Sequence, residues 1–294
     1  MNNCFFSRIK YFDSLDSTNN ELLNNEYDDK TLIYTYNQTK GRGRFDRKWI
    51  TFKDKTLALS FLLKSESNDH SYKNLINNYF LMNMILSISL IDLLNKKYDI
   101  NSWIKWPNDI YINDKKLAGI LTETDFINKD NFKIVGGIGI NINAEEKEIL
   151  NINKKATSLS LEKKEKINLK EFTNLFIEEL SKNFFSLFSY ENHNISNEKY
   201  IIKAMGRDIN ILDQNQNNKQ KLNEVEVAKI KNKWLDYCNI IGKHVVISNT
   251  SKDFDGVLIK GKVIDIDNQG FLIVETENKK MKILSGDVSV VVDQ

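Results

Sequence analysis

Apolar positions recur along the chain with two different periods, and each change of period marks out an element. Residues 9–13 form a short strand candidate, followed by a polar turn, Ser17-Thr18-Asn19-Asn20, and the apolar pair Leu22 and Leu23. Thr18 and Glu21 stand at capping-box spacing, so a helix is predicted to start here with free N–H groups at its first turn. Residues 32–36 and 57–63 are continuous apolar runs of strand length. The stretch 79–94 is apolar at helix length but broken by Asn83, Ser87, Ser89 and Asp92, which predicts a core helix. Residues 104–112 and 117–123 read as two strands joined by a hairpin turn at Asn113, Asp114 and Lys115. Residues 132–143 form a further strand interrupted by glycines, which mark either a bulge or a place where another group comes close to the backbone.

Helical spacing returns over 169–188, an amphipathic cover for the sheet. The pattern fails over 191–223, which ends in the Gln-, Asn- and Lys-rich run DQNQNNKQKLN and predicts a polar insertion. Helix resumes over 224–237. After it come short strand candidates at 245–248, 256–266, 270–276, 280–284 and 288–292, with turns at 267–270 and 284–287. The expected organisation is a large mixed α+β domain over 1–238 and a small β-barrel-like module over 239–294.

Composition narrows the class. A chain of 294 residues with 41% hydrophobic and 11% aromatic residues can bury a substantial core. Its net charge of +2 gives no global field toward nucleic acid or membrane, so any basic patch must be local. Cys4 and Cys238 are far apart and lack a C-x-x-C neighbour, which suggests neither a disulfide framework nor a zinc site; both read as inert packing or surface thiols. His70, His193 and His244 have no partner at metal-ligand spacing, so no protein-held metal is expected. The first residues are too poor in apolar side chains for a secretory signal. The core helix falls short of the roughly 20 apolar residues needed to span a bilayer. A cytoplasmic protein with no membrane attachment is expected.

The local basic patch is GRGRFDRKW, residues 41–49. Gly41 and Gly43 let main-chain N–H groups approach a ligand closely, while Arg42, Arg44 and Arg47 supply planar forks for carboxylate or phosphate and Trp49 adds a flat face. The block fits neither a Walker loop nor the dinucleotide fingerprint. By itself it suits an anion-binding loop and a basic, solvated surface loop equally, since Gly/Arg-rich loops also bind nucleic-acid backbone without further chemistry. Two more blocks follow it: KWPNDIYINDKKLAGIL over 105–121, with the only proline of the chain, and IVGGIGININ over 134–143.

These three blocks, in this order, resemble the signature blocks of the biotin–protein ligase family, and the resemblance runs from about residue 11 to the C-terminus apart from the insertion. It implies a mixed β-sheet covered by helices, like that of class II aminoacyl-tRNA synthetases, with a small SH3-like C-terminal domain. It also implies residue roles. Ser17, Thr18, Asn19 and Gln38 match residues that line the biotin pocket, where hydroxyl and amide groups suit a ureido ring. Arg42 and Arg44 match arginines that bracket the biotin carboxylate and the adenylate phosphate; Trp49 matches a tryptophan against the adenine. Lys116 matches a lysine on the activated carboxylate and phosphate. Asn108 and Gly119 come with that block as binding residues, and Asp109 as a group that orients Mg²⁺ or the incoming amine. Gly137 and Gly139 would floor the site, with Asn141 near the adenine. Asp46 departs from the family pattern, which has a second loop glycine there, and subtracts positive charge from the loop.

The implied activity has two steps. Biotin is activated by ATP as biotinoyl-5′-AMP, and the acyl group then passes to a lysine of a biotin carboxyl carrier protein domain. Arg42, Arg44 and Lys116, with Mg²⁺ carried by ATP, would neutralise and align the two anions without an acid–base dyad. A lipoate–protein ligase shares this fold and chemistry, but the polar set at Ser17, Thr18, Asn19 and Gln38 favours a ureido over a dithiolane. A non-catalytic module gripping phosphate backbone is the third reading. The chain enters the ligase pattern almost at its first residue, so no sequence-specific DNA binding is expected. A monomer and a homodimer both fit.

Overall fold

The structure is a computed structural model that describes residues 4–45, 47–65, 80–126, 131–152, 155–190, 220–222, 224–248, 258–267, 269–283 and 287–290. The insertion expected over 191–223 lies outside the described residues except for 220–222. So do Asp46, His70, His193 and Gly286.

The larger sheet has seven strands in the order β1-β2-β5-β9-β8-β7-β6. They are β1 (Arg8–Phe12), β2 (Thr31–Thr35), β5 (Thr56–Ser65), β6 (Trp103–Lys105), β7 (Asp109–Ile112), β8 (Lys115–Phe126) and β9 (Phe132–Asn141), while β3 (Gly41–Arg42) and β4 (Lys48–Trp49) form a separate small hairpin. Only β1 and β2 run parallel; the other neighbours are antiparallel, so the sheet is mixed. The helices are α1 (Thr18–Asn24), α2 (Phe80–Tyr98), α3 (Glu146–Ile152), α4 (Leu159–Lys163), α5 (Leu169–Leu187) and α6 (Glu224–Cys238).

Side-chain alternation along the central strands separates core from site. On one face Leu57, Leu59, Phe61 and Leu63 of β5 and Ile134, Ile138 and Ile140 of β9 join α2 and α5 in the main core. On the other face stand Ala58 and Ser60, and across from them in register Gly139 and Gly137. Gly119 pairs with Gly139, and Leu121 with Gly137. Replacing large side chains by Gly, Ala and Ser over this patch leaves a trough in an otherwise filled sheet. Beyond the trough the face closes again, where Leu22 of α1 packs with Ile33, Leu62 and Val135.

Two of the polar interruptions of α2, Ser89 and Asp92, are attachment points for its covering helices. Asn183 Nδ2 donates to Ser89 Oγ at 2.8 Å, and Asp92, itself buried, accepts from Lys233 Nζ at 2.6 Å and Tyr237 Oη at 2.8 Å. The carboxylate and burial together push the Tyr237 phenol up to about 12. Both covers show the i, i+4 stripe expected of amphipathic helices: Phe172, Phe176, Leu180 and Phe184 on α5; Ile230, Trp234 and Cys238 on α6. Burial pushes the Cys238 thiol up to about 12, which keeps it protonated and inert at neutral pH.

The C-terminal strands β10 (His244–Ser248), β11 (Leu258–Ile266), β12 (Leu272–Glu275), β13 (Lys280–Ile283) and β14 (Asp287–Val290) form an antiparallel sheet in the order β13-β12-β11-β10-β14. This sheet is the SH3-like module. Trp106 Nε1 donates to Gly270 O at 2.9 Å and ties it to the larger sheet.

Two local expectations are corrected. Residues 104–112 are not one strand: the chain reverses at Trp106-Pro107-Asn108, and β6 pairs antiparallel with β7. Pro107 has no N–H to give a ladder, so the run breaks there. The helix cap is Ser17, one residue before the expected Thr18; Ser17 Oγ accepts from Asn20 N at 3.4 Å. Thr18 is drawn away by Gln38, whose Oε1 accepts from Thr18 N at 2.8 Å. The short elements α3, α4, β3 and β4 were not anticipated, because each is too brief to show a period.

Candidate functional site

The trough opens into a cavity of about 320 Å³. Its walls come from α1, the β3–β4 hairpin, the turn between β6 and β7, and the glycine patch of β8 and β9. Ser17, Thr18, Asn19, Gln38, Arg42, Gly43, Arg44, Arg47, Trp49, Asn108, Asp109, Lys116, Gly119, Gly137, Gly139 and Asn141 all line it. Gly41 does not; it lies behind Gln38, and a Cβ there would stand 2.6 Å from Gln38 Nε2.

One end is a closed polar network. Gln38 Oε1 accepts from Thr18 N at 2.8 Å and from Thr18 Oγ1 at 3.3 Å. Ser60 Oγ lies 2.7 Å from Thr18 Oγ1 and 2.6 Å from Asn19 Oδ1, and its single proton can serve only one of them at a time. Asn19 Nδ2 donates to Leu121 O at 3.0 Å and to Glu123 Oε2 at 2.8 Å. The Asn19 amide is thus engaged on both sides by protein. Ser60 is fully buried at the centre of this network, and no motif points to it: a serine inside an apolar strand looks like tolerance, not function.

Trp49 occupies the middle. Its indole lies over the Gly119–Gly139 pair, and a Cβ on Gly139 would overlap it. Gly137 likewise has no room for a Cβ beside Asn19 Oδ1. Glycine is required here for close approach of side chains to the sheet. Trp49 Nε1 and Asn141 Oδ1 are both buried without a hydrogen-bond partner among the described residues, although Asn141 Nδ2 donates to Thr157 O at 3.1 Å. An orphaned buried polar atom costs roughly 1–3 kcal/mol, and a ligand that supplied partners would recover it.

The other end is cationic. Arg42, Arg44, Arg47, Lys48, Lys105 and Lys116 line the cavity against one carboxylate, Asp109, among the described lining residues. Lys116 Nζ pairs with Asp109 Oδ1 at 2.8 Å and stands 5.6 Å above the Trp49 ring. Arg44 Nη1 donates to Asn108 Oδ1 at 3.3 Å, and Asn108 Nδ2 to Ile120 O at 2.7 Å.

Strand alternation would place Lys116 with Ala118 and Ile120, facing the core. A bulge prevents this: Ile110 pairs with Ala118 but Tyr111 pairs with Lys116, so Leu117 is the extra residue in β8. The phase flips across it, and Lys116 comes to the cavity face beside Gly119. Backbone bonds fix that position, with Lys116 N donating to Lys155 O at 2.8 Å and Thr157 N to Lys116 O at 2.9 Å.

Among the described residues no group of three His, Cys, Asp or Glu side chains could hold a metal ion, and no helix is long and apolar enough to cross a membrane.

Comparison with known proteins gives matches at both ends of the chain. The biotin/lipoate A/B protein ligase family matches residues 11–141, and the biotin protein ligase C terminal domain matches residues 250–291. The bifunctional ligase/repressor BirA of Bacillus subtilis is 27% identical over 284 residues, covering 95% of this chain and 73% of that protein. BirA of Escherichia coli is 35% identical over 131 residues, covering 44% of this chain and 38% of that one. Among solved structures, the biotin protein ligase from Aquifex aeolicus in complex with biotin and ATP superposes with a TM-score of 0.65 at 25% identity, covering 98% of this chain and all of that one.

Proposed function

The chain belongs to the biotin/lipoate A/B protein ligase family and is an ATP-dependent biotin–protein ligase, and from that premise we propose how its cavity divides the work. The observation that carries the reading is that residues from stretches about 100 positions apart line one cavity, neutral and polar at one end and cationic at the other. Biotin has the same polarity: a neutral ureido ring at one end, a carboxylate at the other.

Thr18, Ser17 and Gln38 Nε2 receive the ureido ring. Arg42, Arg44 and Lys116 face the carboxylate and the α-phosphate of ATP, with the Arg47 fork in support; the Gly43 N–H is taken by Arg47 O at 2.7 Å and holds the hairpin. Bringing two anions together is the obstacle in the first step, and preorganised cations in a partly closed site lower it. A carboxylate oxygen of biotin attacks the α-phosphorus and pyrophosphate leaves. In the second step the amine of a carrier-domain lysine attacks the acyl carbon; the acyl–phosphate bond breaks, AMP leaves, and the amine gives up its proton. Trp49 Nε1 and Asn141 Oδ1, lacking partners among the described residues, suit one acceptor and one donor on the adenine. Asp109 holds Lys116 in place until the substrates arrive. The only carboxylate among the described lining residues is therefore engaged, and these residues do not fit a protein-held Mg²⁺; the ion would enter on the ATP phosphates.

The remaining parts of the reading are an acceptor on a biotin carboxyl carrier protein domain, a catalytic domain over 1–238 and an SH3-like one over 239–294, and action in the cytoplasm as monomer or homodimer. ATP–pyrophosphate exchange with biotin, with lipoate and with neither tests the activity. Biotin-dependent exchange is expected. Exchange that needs lipoate instead would move the chain to the sister activity, and none with either acid would sink the enzyme reading.

A further inference from the structure

Glu123 was not singled out by any motif and does not line the cavity, yet three of the shortest side-chain contacts near the site converge on it. Arg42 Nη2 donates to Glu123 Oε1 and Oε2, both at 2.7 Å, and Asn19 Nδ2 donates to Oε2 at 2.8 Å. The contacts continue inward: Asn19 Oδ1 to Ser60 Oγ, Ser60 Oγ to Thr18 Oγ1, and Thr18 to Gln38. One chain of hydrogen bonds therefore runs from the neutral end of the cavity, through Glu123, to the first arginine of the basic hairpin.

An exposed ion pair contributes little, because two long side chains must be ordered and water screens the charges. This pair differs on one side. Glu123 is about a quarter exposed and is held by Asn19, which is 5% exposed and fixed at both ends of its amide. The carboxylate is thus a fixed point, and the more exposed Arg42 is the group it orients. Arg42 spends only Nη2 on the pair, so Nη1 and Nε remain for a ligand in the cavity that Arg42 lines.

We propose that Glu123 is a positioning residue that couples the two ends of the cavity: it aims the free edge of the Arg42 guanidinium at the substrate carboxylate and ties that aim to the Asn19–Ser60–Thr18 network. The inference rests on the reading above, in which Arg42 meets the anionic end of biotin. A ligand seated against Thr18 then meets an arginine whose direction is set by the same network.

The test is a double-mutant cycle of Glu123→Ala and Arg42→Ala, with Glu123→Gln added, read as KM for biotin and kcat in ATP–pyrophosphate exchange on the full chain, with thermal unfolding as the folding control. Glu123→Ala is expected to raise KM for biotin about tenfold while kcat changes less. That is the scale of one lost charge-assisted hydrogen bond. Glu123→Gln, which keeps an acceptor for Asn19 and Arg42 but no charge, should fall between. In the Arg42→Ala background Glu123→Ala should add little, since its effect passes through Arg42. Equal effects in both backgrounds, or a KM that stays or falls when Glu123 is removed, would overturn the coupling; a fall would make Glu123 a competitor for Arg42. If Glu123→Ala does not fold, the near-isosteric Glu123→Gln carries the same cycle. Wild-type exchange that does not need biotin would instead overturn the parent reading, so the two failures are distinguishable.

Discussion

The two ends of the cavity are built on opposite principles. At the neutral end Thr18, Asn19 and Ser60 are buried, bonded mainly to one another, and mounted on the start of a helix and a central strand. At the cationic end Arg42 is 41% exposed, and it and Lys116 are paired to carboxylates from the protein itself. The β3–β4 hairpin that carries Arg42 forms a sheet of its own. A site for a neutral head group gains from being fixed beforehand, because little charge has to rearrange on binding. A site for phosphate and carboxylate must keep its cations satisfied until the anions come: Asp109 does that for Lys116, while Glu123 takes one nitrogen of Arg42 and leaves the other edge for the ligand.

This contrast can be broken by experiment, beginning with the largest effect. Lys116→Ala should lower pyrophosphate exchange at saturating biotin by about 100- to 1,000-fold, the scale of one lost group aimed at developing charge. Loss seen only as weaker biotin binding would erase the division between the ends. Gly137→Ala forces a methyl against Asn19 Oδ1. Overpacking of this kind costs about 1–3 kcal/mol, so calorimetry should show biotin affinity down by roughly 5- to 100-fold in a folded protein. Thr18→Val keeps the shape and the backbone bond to Gln38 but removes the hydroxyl that meets Gln38 Oε1 and Ser60 Oγ, and should weaken biotin by about tenfold. That loss should be the same at low and high salt, whereas ATP affinity should fall as salt screens the cationic end. Trp106→Phe should do least: it removes the bond to Gly270, worth about 1 kcal/mol, and should lower the unfolding midpoint by about 2–4 °C while leaving biotin affinity alone.

The neutral and cationic ends were also unequally legible in the sequence. Arg42, Arg44, Lys116 and Trp49 stand in dense motifs whose chemistry shows in the residue types themselves. The apolar periods likewise located β2, β5, β9, α5 and α6, because each buries one face against the core. Ser60 and Glu123 were invisible for the opposite reason: each is a single polar residue in a strand, and its partners lie about 40 to 100 positions away. The bulge at Leu117 was hidden too. From spacing alone Lys116 belongs to the core face, and only the pairing of β7 with β8 reveals the shift that turns it into the cavity. The corrected break at Pro107 was readable in principle, since a residue with no N–H sat inside the run assigned to one strand.

If one cavity separates recognition of a neutral head group from activation of a carboxylate, biotin binding by calorimetry and pyrophosphate exchange must part company in Thr18→Val and Lys116→Ala. Thr18→Val should lose binding and recover exchange at high biotin, while Lys116→Ala should bind biotin within about threefold of wild type and stay slow at every biotin concentration. Exchange that simply follows biotin affinity in both variants would contradict that separation.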